Sequence, residues 1–306
     1  MERKVSFSTG NLQKNYSELQ VLEVAKRVGA DAIDLDICNK KRYDYRRADS
    51  IYSKSREEFE AHFEAIGKRA KELGIEICQT HGRISGFRNI LEEDDALIEN
   101  LKLDCLATKL MGAKICVVHT ATTIHLGKDA PEELMYKLNS DMFSRILPYA
   151  AELGVVIATE TFGDATGKEC VDFFGDIEHF VKGYEDVIAT NPEYANWFKI
   201  CLDPGHSNKA MRFGNPTPAN VARRLGGNIV ALHLNDNDCM TDQHKIPMTG
   251  NIDWKDLMDA LDEIGYCGYY NMEVALGHFG ENFMEEEAEF AVKVMKNILK
   301  LRYSEQ

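Results

Sequence analysis

Six short apolar runs in this chain end, one after another, in side chains that bind metal ions or move protons. CQTH ends at His81, VVH at His119, ATE at Glu160 and NME at Glu273. LDPGH carries Asp203 and His206, LHLND carries His233, and Asp242 and His244 follow in DQH. A lone His or Glu in such a place is most often a satisfied structural group. Repetition at successive runs is different, because a buried charge is costly unless it is paired or coordinated. No Lys or Arg in these motifs is placed to neutralise them, so a divalent metal is the simplest explanation. Mixed imidazole and carboxylate donors suit Zn, Mn, Co or Fe, whereas Mg and Ca favour oxygen alone. No thiolate is offered, which argues against a structural zinc site. Glu160, Asp203, His233 and Glu273 form the most economical single site. His81 and His119 could hold a second ion bridged by Glu160, and His206, Asp242 and His244 a third.

These side chains need elements that bring run ends together. An amphipathic helical stretch, then Gly, then a short apolar strand recurs around Gly29, Gly74, Gly112, Gly154, Gly227 and Gly265. Gly at each point would supply the positive φ of a helix C-terminus before the chain enters a buried strand. One further strand, WFKICLDPGH, lacks the glycine, and KVSFSTG opens the chain. Eight strands result, near 4–8, 32–37, 75–80, 114–119, 155–160, 198–203, 229–234 and 269–274. Helical periodicity fills the gaps, as in EEFEAHFEAIGKRAKEL and EEEAEFAVKVMKNILKLR. Strict alternation implies a parallel sheet, and eight units in this length fit a single (β/α)8 TIM barrel over residues 1–306. An open doubly wound sheet would carry a Gly-rich phosphate loop after its first strand; STGNLQKN is not one. No organic cofactor is called for. The Tyr- and Arg-rich segment 38–57 follows strand two, where a barrel places active-site loops, and reads as an active-site loop or lid.

The chain has 306 residues with a formal net charge of -14, which disfavours loose binding to nucleic acid or anionic membrane. No apolar run approaches a membrane span, and MERKVSFSTGNL lacks the apolar stretch of a signal peptide. The eight cysteines never form CxxC. A cytoplasmic protein with reduced thiols is the expectation.

With these residues in place, the chain resembles the xylose-isomerase-like TIM-barrel superfamily over essentially its whole length. This group holds sugar (phosphate) isomerases and epimerases together with endonuclease IV-type AP endonucleases. The resemblance rests on His119, on Glu160 in ATE, on Asp203 and His206 in LDPGH, and on His233 and Asp236 in HLND. Asp242 and His244 in DQHKIPMTGNIDW and Glu273 in GYCGYYNME complete it. For the sugar epimerases it implies one Mn- or Mg-type ion held by Glu160, Asp203, His233 and Glu273, with Glu160 and Glu273 doubling as the acid/base pair. For endonuclease IV it implies three zinc ions, and all nine ligand types have a counterpart here: the same four with His81, His119, His206, Asp242 and His244. The glycine-rich endonuclease motifs are replaced, however, by Glu160-Thr161-Phe162-Gly163-Asp164 and Asp203-Pro204-Gly205-His206. Isomerisation or C3 epimerisation of a sugar or sugar phosphate is therefore the leading expectation, with abasic-site DNA cleavage as the alternative. His206 would bind a substrate hydroxyl, Phe162 and Trp254 are candidate walls for the sugar's C–H face, and Arg83, Arg88 and Arg212 are candidates for holding a phosphate. The resemblance further implies dimers or tetramers.

Overall fold

The computed structural model describes residues 3–303. Eight strands alternate with helices: β1 Val5–Ser8, β2 Ala32–Asp36, β3 Glu76–His81, β4 Ile115–Val118, β5 Val156–Glu160, β6 Phe198–Leu202, β7 Ile229–Leu232 and β8 Tyr270–Met272. The helices are α1 Glu18–Arg27, α2 Arg56–Leu73, α3 Leu91–Leu110, α4 Thr123–Leu126, α5 Glu132–Leu153, α6 Ile177–Thr190, α7 Pro204–Ala210, α8 Pro218–Leu225, α9 Trp254–Glu263 and α10 Met284–Tyr303. All strand pairs are parallel, in the order β7-β6-β5-β4-β3-β2-β1-β8. A parallel bridge between Leu234 and Met272 joins the two ends and closes the ring. The chain is thus a single (β/α)8 barrel, as its alternation predicts.

Local signals explain the punctuation. Ser17 and Ser55 build capping boxes at the starts of α1 and α2, each satisfying two helix-end N–H groups. Five of the six repeat glycines (29, 74, 112, 154 and 265) have positive φ. The sixth is a correction: Gly226, not Gly227, takes the positive φ after α8, and a short 3-10 turn over Gly226–Asn228 then leads into β7.

Side chains alternate along a strand, and this sets the site. Val117, Ala158, Cys201 and Ala231, from β4 to β7, are fully buried together inside the barrel. Two residues further on each strand stand His119, Glu160, Asp203 and His233. On the β4–β7 side the ligand layer therefore rests on an apolar floor, while beneath His81 and Glu273 the buried Gln79 and Asn271 make it polar, both donating to Asp34.

The segment 38–57 is anchored at four buried residues while most of the rest is exposed. Tyr43, Asp44, Ser50 and Tyr52 are buried, and the Arg83 guanidinium donates to the carbonyls of Ile37 and Tyr43 at 2.6 and 2.8 Å.

Candidate metal centre

The nine residues singled out from the sequence converge at the carboxyl end of the barrel. His81 and Glu160 end their strands, and His119, Asp203, His233 and Glu273 follow theirs by one residue. Asp242 and His244 come from the β7–α9 loop. His81, Glu160, His119, His206, Asp242, His244 and Glu273 line a cleft of about 270 Å³, with Phe162 and Lys209 among its other walls. That is just below the range of about 300–1,000 Å³ usual for ligand sites.

Three donor groups form within it, and in each the ligand atoms lie within 4.8 Å of one another: His81, Glu160 and His233; Glu160, Asp203, His233 and Glu273; and His206, Asp242 and His244. Glu160 is the hub. Its Oε2 lies 3.0 Å from both His119 Nε2 and His233 Nδ1, and its Oε1 lies 3.3 Å from His206 Nδ1. Glu273 Oε2 is 3.4 Å from His233 Nδ1. None of these contacts has hydrogen-bond geometry at Glu160, and both its oxygens, both His119 nitrogens and His233 Nδ1 are buried without a hydrogen-bond partner. Buried polar atoms are nearly always satisfied, so several orphans aimed at one point fit the ligand set of a divalent cation. Burial pushes the Glu160 carboxyl up, but the imidazoles of His233 and His119 outweigh it and hold the group well below the usual range. Burial raises Asp203 to about 6. Burial opposes protonation of His244 as well, yet hydrogen bonding to Asp242 and the charge of Glu273 lift it to about 9.

The histidines are oriented from behind, as metal-binding imidazoles commonly are. His233 Nε2 donates to Asp34 Oδ2 at 3.0 Å, which leaves Nδ1 facing the carboxylates. His206 Nδ1 donates to the Thr161 carbonyl at 3.0 Å and His244 Nδ1 to the Glu273 carbonyl at 2.9 Å. Both therefore present Nε2 toward Asp242 Oδ2, at 3.6 and 3.4 Å. Asp203 caps α7 by accepting from the His206 N–H at 2.7 Å, and Asn235 Nδ2 donates to its other oxygen at 2.9 Å.

Other expectations fare differently. Phe162 does line the cleft, its ring edge-on to His119 with centroids 5.3 Å apart. Trp254 does not: it is 5% exposed within the core, and its indole N–H donates to Asp236 at 2.7 Å. As the first residue of α9, it ties the loop after β7 to that helix. Arg83 is not free for phosphate, since it is buried in a two-pronged pair with Asp104 at 2.7 Å on both prongs. Arg88 bonds His125, and Arg212 pairs with Asp164 at the cleft edge.

Two charged side chains in contact with the cluster escaped the sequence reading. Asp34 is one; the available signal was a carboxylate inside the apolar strand AIDLD. Lys209 is the other, a cation from outside the strand-end motifs that reaches one of their carboxylates, Asp242. It is 3% exposed, with Nζ 2.7 Å from Asp164 Oδ1 and 3.3 Å from Asp242 Oδ1. Its signal was a Lys three residues after His206, one helical turn on. Among the described residues, no Lys or Arg forms an ion pair with Glu160, Asp203 or Glu273.

The fold and cluster define a (β/α)8 barrel with an imidazole–carboxylate centre at its carboxyl end. The chain belongs to the xylose isomerase-like TIM barrel family, whose model matches residues 22–298. It is 21% identical over 184 residues to the fructoselysine 3-epimerase of Escherichia coli O157:H7, covering 60% of this chain. The chain spans only 54–61% of the length of the curated relatives it matches. A crystal structure of D-psicose 3-epimerase in the presence of D-fructose superposes with a TM-score of 0.73 at 16% identity, over 97% of this chain and 99% of that one. The IOLI protein with a binding zinc atom gives 0.72 at 18% identity, over 97% and 96%. No helix among the described residues is long and apolar enough to cross a membrane.

Proposed function

We propose that this chain is a metal-dependent isomerase or epimerase of a sugar or sugar phosphate, acting through an enediolate with Glu160 and Glu273 as the proton-transfer pair. The observation that carries the reading is the four-donor set of Glu160, Asp203, His233 and Glu273 at the end of the barrel interior, with the Glu160 oxygens and His233 Nδ1 unpartnered. Two similar proteins bear the names of sugar epimerases and another binds zinc, which supports the same reading. A divalent ion of the Mn, Zn, Co or Mg kind, held by those four residues, would stabilise the negative charge that builds on adjacent substrate oxygens.

The chain's own groups do the rest. Glu160 stays a carboxylate because His233 and His119 favour its charged form, so it can accept a proton from carbon. Glu273, whose side chain is 22% exposed, faces the same cleft. It too is a carboxylate at rest, so it takes a proton from the solvent reaching the cleft before passing it to carbon, while Glu160 keeps the proton it removed and later gives it to solvent. Return to the same carbon gives an epimer, and to its neighbour an isomer. His206 has Nδ1 committed to Thr161 and offers Nε2 to a hydroxyl, while Phe162 supplies an apolar wall. A screen of ketoses, aldoses and their phosphates with metal-loaded protein tests the reading, with an abasic-site oligonucleotide as competitor. Exchange of a substrate C–H for deuterium in D2O is the expected signature. Sugar binding without any exchange would leave only a binding protein.

One observation favours the second reading, cleavage of abasic DNA by three zinc ions: eight of the nine residues, all but His119, assemble into three donor groups. Metal content separates the two. Three zinc ions per chain with oligonucleotide cleavage would replace the sugar reading, and one ion would exclude the nuclease.

A further inference from the structure

The inner and outer donor groups differ in one respect that residue type alone does not reveal. The inner group carries Glu160, Asp203 and Glu273, and among the described residues its only charged neighbours of opposite sign are histidines. The outer group, His206, Asp242 and His244, already has a permanent cation against it. Lys209 leaves α7 at the turn after His206, is 3% exposed, and sets Nζ between Asp164 and Asp242. Arg212 takes the other oxygen of Asp164. Two fixed positive charges thus meet two carboxylates, and the outer group is balanced before any ion arrives. The inner group has three carboxylates and no such balance.

We propose that Lys209 is a built-in cation that keeps the outer His206–Asp242–His244 group free of divalent metal, so that the barrel is loaded at its inner site. This rests on the sugar-enzyme reading above. The ammonium engages Oδ1 of the same Asp242 carboxylate whose Oδ2 faces both imidazoles. A divalent ion bound at Oδ2 would sit one carboxylate width from a positive charge, and their repulsion at that distance opposes its binding even though Asp242 is exposed to water. It would also compete for the only carboxylate of its own group, because Asp164 points at Lys209 and Arg212. The histidine Nε2 atoms remain available to uncharged hydroxyls.

The experiment is metal counting, independent of turnover. Wild type, Lys209→Met, Lys209→Arg, His244→Ala and the double variant Lys209→Met/His244→Ala are stripped with chelator, reloaded with zinc alone and desalted. Zinc per chain is then read by elemental analysis, and by calorimetric titration of the stripped protein. The expected result is one additional ion in Lys209→Met relative to wild type, lost again in the double variant and absent in Lys209→Arg, which keeps the charge. Equal zinc content in wild type and Lys209→Met overturns the role of Lys209 while leaving a one-ion sugar enzyme intact. If wild type holds three ions and His244→Ala removes one of them, the outer group is a metal site despite Lys209, and both this inference and the one-ion reading fall. Thermal melting of each stripped variant confirms folding; should Lys209→Met not fold, Lys209→Gln takes its place with the same expected extra ion.

Discussion

Replacing Asp34 with Asn keeps the shape of the barrel interior and removes one buried charge. Three donors converge on Asp34 Oδ2: His233 Nε2 at 3.0 Å, and Gln79 Nε2 and Asn271 Nδ2 at 3.2 Å each. Oδ1 has no partner. An Asn side chain can therefore place its carbonyl where Oδ2 was and its amide in the vacant direction, so the packing survives. What changes is the electrostatic hold on His233. The carboxylate fixes the tautomer with Nε2 protonated and makes Nδ1, which faces Glu160 and Glu273, a stronger donor to metal. Loss of such an outer partner typically costs 10–100-fold in metal affinity, or about 1.4–2.8 kcal/mol at 1.4 kcal/mol per tenfold. The assay is a competition titration of stripped protein against a zinc-chelating indicator, with circular dichroism to verify the fold. A folded Asp34→Asn protein whose zinc affinity stays within twofold of wild type would refute the claim that Asp34 conditions His233 for metal binding.

Metal affinity should rise with pH as Asp203 ionises. Burial raises its carboxyl to about 6, so below that value the proton occupies the group the ion needs; the same titration repeated across this range should show the loss on acidification. On a confirmed substrate, Glu160→Gln and Glu273→Gln should each lower turnover by about 10²–10⁴-fold, with metal content measured alongside because both residues also bind the ion; full turnover in either would end the acid/base assignment. Arg83→Ala strips the partner from the fully buried Asp104 and should cost about 3–5 kcal/mol of stability, read as a shift in the urea midpoint. In Gly205→Ala the new methyl would run into the amide of Asn235, which is fully buried and cannot retreat. Overpacking of this kind costs about 1–3 kcal/mol, and displacement of Asn235 from Asp203 should weaken metal binding in the indicator assay.

The helix–glycine–strand repeat and the ligand-bearing strand ends were legible because both arise from short-range rules. A positive φ after a helix needs glycine, an interior strand needs an apolar run, and a two-residue period puts Glu160 above Ala158 and His233 above Ala231. Where two glycines stood together, at Gly226 and Gly227, sequence gave no means to choose the one with positive φ. Trp254 misled for a related reason. Its place after Pro247-x-x-Gly250 looked like a wall for substrate, but an indole N–H seeks an acceptor when buried, and Asp236 lay on the inner side.

By itself, then, the amino-acid sequence determined the order of strands and helices, the barrel that order requires, and the kinds of ligand atom at its open end. Only the tertiary structure decided how those atoms are partitioned and balanced. Asp34 meets His233 across 199 residues of chain, Arg83 turns away from the cleft to Asp104, and Lys209 crosses from the helix after β6 to Asp242 in the loop after β7. The physical reason is that charge balance depends on distance in space, and barrel closure, not residue spacing, sets the distances between strand ends.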